Sequence, residues 1–336
     1  MTTLADVAAA AGVSKAAASL VLSGKFEGRV SERKAERVRV AADELGYVRD
    51  AIAGGMRNGR TQTIGVIGER VLSTPYAVSM IDSVLSTSQD LGWSVLLTDA
   101  GRDGVAAEEA VREMVARRVN QVVIASMYHR VVSVPEQIED VVVLNGVADR
   151  PGVPGVVPDE RQGAHDAVAH LIGLGHRRIG LAIGPMRMVP AQRKRSGYEE
   201  AMRSGLPDEP LRVVETLYTY EGGANAAQLL LPQGCTGIVC GSDIMALGVI
   251  QGVRSGGLRV PEDVSVIGYD DSPLIPMTAP PLTTVRQPVT AIARAAVTTL
   301  LAGIAGSQTP DTEMLFAPDL IVRGSTAPAP DSQRGA

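Results

Sequence analysis

The sequence reads as an N-terminal all-α helix-turn-helix head followed by an α/β core of two parallel-sheet lobes, and three features say so. Its 336 residues suit two domains, or a large one with an appendage, at about 150 residues per domain. Beyond residue 60, short runs rich in Val and Ile alternate with helical stretches, the pattern of parallel strands joined by crossover helices. Charge divides at the same place. The chain holds 32 Lys+Arg against 37 Asp+Glu, a net of −5, yet ten basic side chains (Lys15, Lys25, Arg29, Arg33, Lys34, Arg37, Arg39, Arg49, Arg57, Arg60) outnumber seven acidic ones in the first 60 residues, leaving −8 for the rest. A basic head on an acidic body is the electrostatic form of a DNA reader attached to something that is not one.

In the head, LADVAAAA (4–11) reads as a short helix with Thr3 as N-cap, broken by Gly12-Val13. Ser14 caps a second helix, KAAASLVL, and the tight Gly-containing turn between them makes a helix-turn-helix. Val7, Ala8, Val13, Ala18 and Val21 or Leu22 are the expected contacts, with Lys15, Ala16, Ser19 and Leu20 facing outward. A third helix is expected over 31–45, capped by Ser31 and stopped by Gly46, with Val38, Ala41, Ala42 and Leu45 on its buried stripe. RDAIAGGMRNGR (49–60) is too rich in glycine for a free-standing helix, since each internal glycine costs about 1 kcal/mol relative to alanine. It is expected to order only when docked, with a plain linker as the alternative.

The core begins with IGVIG (64–68), WSVLLTD (93–99), QVVIAS (121–126) and VVVLNG (141–146), with helices at about 76–91 and 104–118. IGLAIG (179–184), RVVETL (212–217), GIVCGSD (237–243) and VSVIGYDD (264–271) form a second series. Two series mean two lobes, and ligands in such sheets bind beyond the carboxyl ends of the strands.

No run of roughly 18 apolar residues exists to span a membrane, and Asp6 interrupts an N-terminus that lacks a basic segment ahead of an apolar one, so no signal peptide is expected. Cys235 and Cys240 are expected to be reduced thiols in a cytoplasmic protein, and with His129, His165, His170 and His176 they form no zinc pattern. No metal or cofactor is expected. An enzyme is the first rival, but the chain has no G-x-S-x-G elbow, Walker loop or H-E-x-x-H, and IGVIGERV contains only G-x-x-G.

Four segments carry a resemblance that runs from end to end: TLADVAAAAGVSKAAASLVLSG (3–24), HLIGLGHRRIGLAIGP (170–185), GSDIMALGVIQGVRSGGLRVPEDVSVIGYDDSPL (241–274) and PPLTTVRQP (280–288). Through them the chain resembles bacterial transcription regulators of the lactose-repressor/galactose-repressor (LacI/GalR) family. The resemblance implies a DNA-binding headpiece (1–47), a hinge helix or linker (48–60) and a periplasmic-binding-protein-like core (61–326), with 327–336 expected as a flexible tail. It implies three crossings between the lobes, an N-lobe of about 61–160 and 290–320, and a C-lobe of about 161–289 and 321–326. It further implies a repressor that binds a pseudo-palindromic operator in double-stranded DNA as a homodimer under a small sugar-like effector. APAPDSQRGA carries no leucine heptad, so no coiled-coil tetramer is expected.

Carried onto this chain, the resemblance places Lys15, Ala16 and Leu20 at base-reading positions and Ser14, Ala17 and Ser19 near phosphates. Lys15 can donate to guanine O6 or N7, while Ala16 can only touch a thymine methyl or leave room. Much of the family has Thr and Val where this chain has Ala17 and Ala18, so a hydroxyl contact is lost and the head is less filled. Met56 stands where the family places a minor-groove leucine wedge. For the effector the resemblance points to Tyr76, Asp159, Lys194, Tyr218, Asp243 and Asp270, a set of carboxylates and aromatic faces that suits a polyol. Lys194 replaces the usual arginine of R-x-x-G-[YF], and a point-charge ammonium cannot reproduce bidentate recognition. Either the ligand differs from the common sugars or Arg193 or Arg195 swings in. Blander readings stand beside these: Tyr76 capping a strand-to-helix turn, Asp243 capping the helix after it, Asp270 and Asp271 shaping a turn before Pro273. The remaining rivals are an exported sugar-binding protein and a regulator whose core answers to a protein partner or a non-sugar ligand.

Overall fold

The computed structural model describes residues 2–47, 62–69, 71, 74–100, 104–304 and 313–330. The expected hinge helix or linker (48–60), with Met56, lies outside the described residues. The chain forms two compact units, 1–62 and 63–336.

The first unit holds α1 (Leu4–Ala11), α2 (Lys15–Leu22) and α3 (Glu32–Glu44). Thr3 and Asp6 form a reciprocal capping box at the start of α1, and Gly12 ends it at φ +62°. The Arg37 guanidinium donates to the Ala11 carbonyl at that end. Six of the nine buried core residues are alanines, so the three helices cross with their backbones close together. Val7, Ala8, Ala18 and Val21 are buried as expected, but Leu45 is 40% exposed. α3 stops at Glu44 and Gly46 turns the chain at φ +58°, which takes Leu45 off the stripe it would have continued.

The second unit contains two six-stranded sheets. The first is ordered β13-β7-β5-β3-β1-β2 and is parallel throughout. Its strands are β1 (Thr63–Glu69), β2 (Ser94–Asp99), β3 (Gln121–Ser126), β5 (Asp140–Leu144), β7 (Gly155–Pro158) and β13 (Glu313–Phe316). Helices α4 (Pro75–Asp90), α5 (Gly104–Ala116) and α10 (Val289–Ile304) accompany it, and β4 (Val131–Val132) with β6 (Val147–Ala148) makes a short side ribbon.

The second sheet is ordered β14-β12-β11-β10-β8-β9. It is built from β8 (Ile179–Ile183), β9 (Arg212–Glu215), β10 (Gly237–Cys240), β11 (Ser265–Asp270), β12 (Thr283–Arg286) and β14 (Asp319–Ile321), the last antiparallel to β12. Its helices are α6 (Glu160–Gly173), α7 (Val189–Gly205), α8 (Tyr220–Leu230) and α9 (Asp243–Ser255). β3, β8 and β10 are buried at every residue, as strands covered on both faces must be, whereas the edge strand β2 is only partly covered. The chain passes between the sheets three times, after Pro158, after Arg286 and between Phe316 and Asp319. The first and third passages are tied where the Asp159 N–H donates to the Phe316 carbonyl at 2.8 Å.

Residues 327–330, the described part of the expected tail, are not flexible. Ser325 is fully buried and donates to Val266 O at 2.6 Å, Ala327 N–H donates to the Ser265 hydroxyl at 3.0 Å, and Ala329 N–H donates to Leu174 O at 2.9 Å. His176 Nε2 lies 3.0 Å from the Ala327 carbonyl. Residues 327–330 are thus fastened to the second lobe by backbone groups that composition does not reveal.

α8 and α9 touch through glycines. A Cβ on Gly248 would collide with the Tyr220 carbonyl, and one on Gly223 with that of Met245. Gly248→Ala is therefore expected to cost about 1–3 kcal/mol, because backbone rather than a pliable side chain must yield. Gly173→Ala, with open space around it at the end of α6, is expected to be neutral or to stabilise by up to about 1 kcal/mol. Urea unfolding of the two variants checks the opposite signs.

Candidate functional site

In the head, α2 presents Lys15 and Ala16 to solvent, with Ala17, Ser19 and Leu20 half-buried. Ser19 and Leu20 therefore face outward less than expected, since the short helix rests against α1 and α3. The Ser14 hydroxyl accepts from the Ala17 N–H at 3.1 Å, which leaves its own proton free for an acceptor outside. Arg39 is spent on Glu32 and Glu36, both at 3.0 Å, and on the face of Phe26. Lys15, Lys25, Arg29, Arg33 and Lys34 are exposed, and among the described residues no salt bridge engages them. Cations held by no carboxylate suit a phosphate backbone.

In the second unit, a cavity of about 480 Å³ lies between the lobes at the carboxyl ends of their strands, the position at which open α/β sheets bind ligands. Tyr76, Lys194, Tyr218, Asp243 and Asp270 all line it. Asp159 does not: its carboxylate caps α6, accepting from Gln162 N–H at 3.0 Å. The acid that faces the cavity at this crossing is the next residue, Glu160, which is 2% exposed.

Lys194 is buried, and its Nζ donates to the Gly241 carbonyl at 2.9 Å. The ammonium stands 3.7 Å from the centroid of the Tyr269 ring and 5.7 Å from that of Tyr218. Burial pulls its pKa down, while Asp270, Glu160 and Asp243 act to raise it. Neither neighbour takes its place. Arg193 donates to Glu313 at 2.8 Å, and Arg195 pairs with Glu199 at 2.7 Å.

Asp270 and the adjacent Asp271 both hold positive φ, +114° and +57°, and turn the chain sharply at the end of β11. Asp271 is gripped by Arg286 at 2.7 Å and Arg323 at 2.6 Å. Asp270 Oδ1 accepts from Gln287 Nε2 at 2.6 Å. Burial raises the Asp270 pKa, and Lys194 draws it back.

Asp243 does not cap its helix, because the Ser242 hydroxyl does, accepting from Met245 N–H. The Asp243 carboxylate accepts instead from Ser272 N–H at 2.7 Å and from the Thr284 hydroxyl at 2.6 Å. Burial, and then Asp270, push its pKa up to about 7. Tyr76 leaves capping to Thr74, whose hydroxyl accepts from Ala77 N–H. The Tyr76 hydroxyl is buried without a hydrogen-bond partner, as is Gln287 Oε1, whereas the buried Tyr218 hydroxyl lies against the backbone of Gly184. Burial raises the pKa of both tyrosines, with Asp270 and Glu160 adding to it.

Sequence reasoning missed Glu160, Gln287, Tyr269 and His129. The first three adjoin residues or segments it had singled out. His129, with Nδ1 3.3 Å from Glu160 and Nε2 3.0 Å from Glu313, carries no spacing signal at all.

Lys194→Met removes the charge that offsets Asp270. Unfolding at pH 7 is expected to show a loss below the about 3–5 kcal/mol of a fully buried pair, because Asp270 opens onto the cavity. Without Lys194 the folded-state pKa of Asp270 rises further above its unfolded value, so the folded state of the variant holds the extra proton. The loss should therefore shrink as pH falls from 7 toward 5, and urea titrations at both pH values measure it.

Residues 3–50 match bacterial regulatory proteins of the lacI family, and residues 168–326 match a periplasmic binding protein-like domain. A regulator from Streptomyces limosus, described as an uncharacterized HTH-type transcriptional regulator in the aml 5′ region, is 43% identical over 96% of this chain and 94% of its own. The crystal structure of the Lac repressor dimer bound to operator and the anti-inducer ONPF is similar with a TM-score of 0.79 and 27% identity, over 97% of this chain and 99% of that one. The transcriptional regulator CelR in complex with cellobiose gives 0.65 and 29%, over 97% and 100%. These are regulators rather than enzymes, and among the described residues no single helix is long and apolar enough to cross a membrane. With this identity over nearly its whole length, the chain belongs to the lacI family of bacterial transcription regulators.

Proposed function

We propose that this regulator is a cytoplasmic homodimeric repressor that reads a pseudo-palindromic operator in double-stranded DNA and is controlled by a small sugar-like effector held between its lobes. The observation that carries the effector half is the interlobe cavity with its unpartnered Tyr76 hydroxyl and Gln287 Oε1, because a polyol supplies both donors and acceptors to such groups. Tyr76, Lys194, Tyr218, Asp243 and Asp270 are the residues we assign to it, with Glu160 in place of Asp159.

For DNA we assign Lys15, Ala16 and Leu20 to bases and Ser14, Ala17 and Ser19 to the phosphate side. The exposed Lys15 at the start of α2 supports that reading. Residues 1–47 form the headpiece, 48–60 the hinge and 61–326 the core in this scheme, with Met56 as an apolar wedge at the operator centre. Dimer formation is supported by Leu274 and Met277, which are 72% and 81% exposed on the segment after β11 and which a second copy would cover. The Lac repressor structure to which the chain is similar is itself a dimer.

Selection of bound sequences from random duplex DNA at fixed salt tests the DNA half. Intact protein should enrich a palindrome. Lys15→Ala should lose about 1–3 kcal/mol and relax preference at matching positions of both half-sites, and enrichment of no palindrome by the intact protein would refute the dimeric reader. Effector and operator affinities should also change by the same factor when each is titrated in the presence of the other. No change in either affinity would remove the allosteric link.

A further inference from the structure

The charges and helix ends around the cavity say more about the ligand than its hydroxyl partners do. Glu160, Asp243 and Asp270 face the cavity against Lys194 and His129. Neither base is free to receive an anion. The Lys194 ammonium is committed to the Gly241 carbonyl and the Tyr269 face, with Asp270 nearby. His129 is held between Glu160 and Glu313, and Arg193 behind it donates to Glu313.

Helix N-termini are the other common anion sites, and four of them border this cavity. Each is disarmed. α6 and α9 begin with Glu160 and Asp243, whose carboxylates occupy the first helical position. α4 carries Pro75 and α7 carries Pro190 in the first turn, which removes an N–H from each. The field of Asp270 and Glu160 reaches the Tyr76 and Tyr218 hydroxyls, so it opposes negative charge at the places where a ligand would be hydrogen-bonded.

We propose that the cleft takes an uncharged polyhydroxylated ligand with an apolar face and excludes its phosphorylated form. The apolar face meets Met127, Met188, Leu247 and Ile275, which also line the cavity. At about 30 Å³ per water, the space holds about 16 waters, room for more than a single hexose ring. A phosphate ester would bring a charge of about −1.5 to −2 into a site that offers it carboxylates.

The inference rests on the effector reading, and the experiment separates the two. A panel of neutral mono- and disaccharides and their phosphate esters is titrated against the full-length protein, with thermal unfolding as the readout, for the natural chain and for Glu160→Gln. At least one neutral sugar should raise the unfolding midpoint, and its phosphate ester should bind at least tenfold more weakly. Glu160→Gln should reduce that ratio several-fold by removing one of the repelling charges. A phosphate ester that binds as tightly as its parent overturns the exclusion while leaving the effector reading intact. A ratio unchanged in Glu160→Gln overturns the electrostatic cause, and failure of both series to shift the midpoint overturns the effector reading itself.

Discussion

An ammonium taken out of water costs several kcal/mol unless its donors find partners and its charge finds a counter-charge, and the burial of Lys194 imposes that requirement on the second unit. Its partners come from two neighbouring strands: the Gly241 carbonyl just after β10, and the Tyr269 ring and the Asp270 carboxylate at the end of β11. α7 is thereby held to the ends of two strands, and the cavity floor follows from where they meet. The glycines around it obey the same constraint. A side chain on Gly184 or Gly241 would strike the Tyr218 ring, which lies over the same ammonium. An arginine would bring a planar fork into this space, whereas lysine needs only a point of contact. The substitution of one cation for the other therefore changes the shape of the site as well as its donors.

Around this floor, carboxylates act as fasteners as much as ligand contacts. Asp243 joins the start of α9 to the segment after β11 and to β12 through Ser272 and Thr284. Asp271 joins that segment to Arg286, at the second crossing, and to Arg323, beyond the third. Arg193 on α7 reaches Glu313 on β13, so an ion pair links one lobe to the other beside the cavity. The Asp243 and Asp271 contacts fasten the second lobe within itself, and the Arg193–Glu313 pair is the one among these links that a change in lobe separation would have to break or keep.

The fold was legible where burial on both faces writes continuous apolar runs, and β3 occupies the expected residues while β1, β8, β10 and β11 fall within a few residues of them. The two-residue strands β4 and β6 are too short for any periodicity to mark. β14 pairs antiparallel at an edge, a choice made by chain return rather than by residue type. Five of the six residues expected to meet an effector gather at the cavity because they stand at strand ends or on a helix turned toward them, which spacing and resemblance can locate. Asp159 and Glu160 exchange roles because a one-residue difference at a helix start decides which carboxylate caps and which points inward. No sequence pattern resolves that step. His129 and the fastened tail depend on partners 31 and more than 60 residues away, beyond the reach of local reading.

The two units use the same cationic side chains in opposite ways. In the head, Lys15, Lys25, Arg29, Arg33 and Lys34 remain exposed and unbridged among the described residues, which suits a polyanion whose binding releases counterions and weakens steeply with salt. In the core, Lys194 and His129 line the cavity, held by carboxylates, a carbonyl and an aromatic ring where salt screens little, and Arg193 is paired with Glu313 beside it. A site of the second kind gains nothing from a charged ligand and loses little to ionic strength. The head thus leaves its cations open to a partner outside the chain, whereas the core has already paired its own internally.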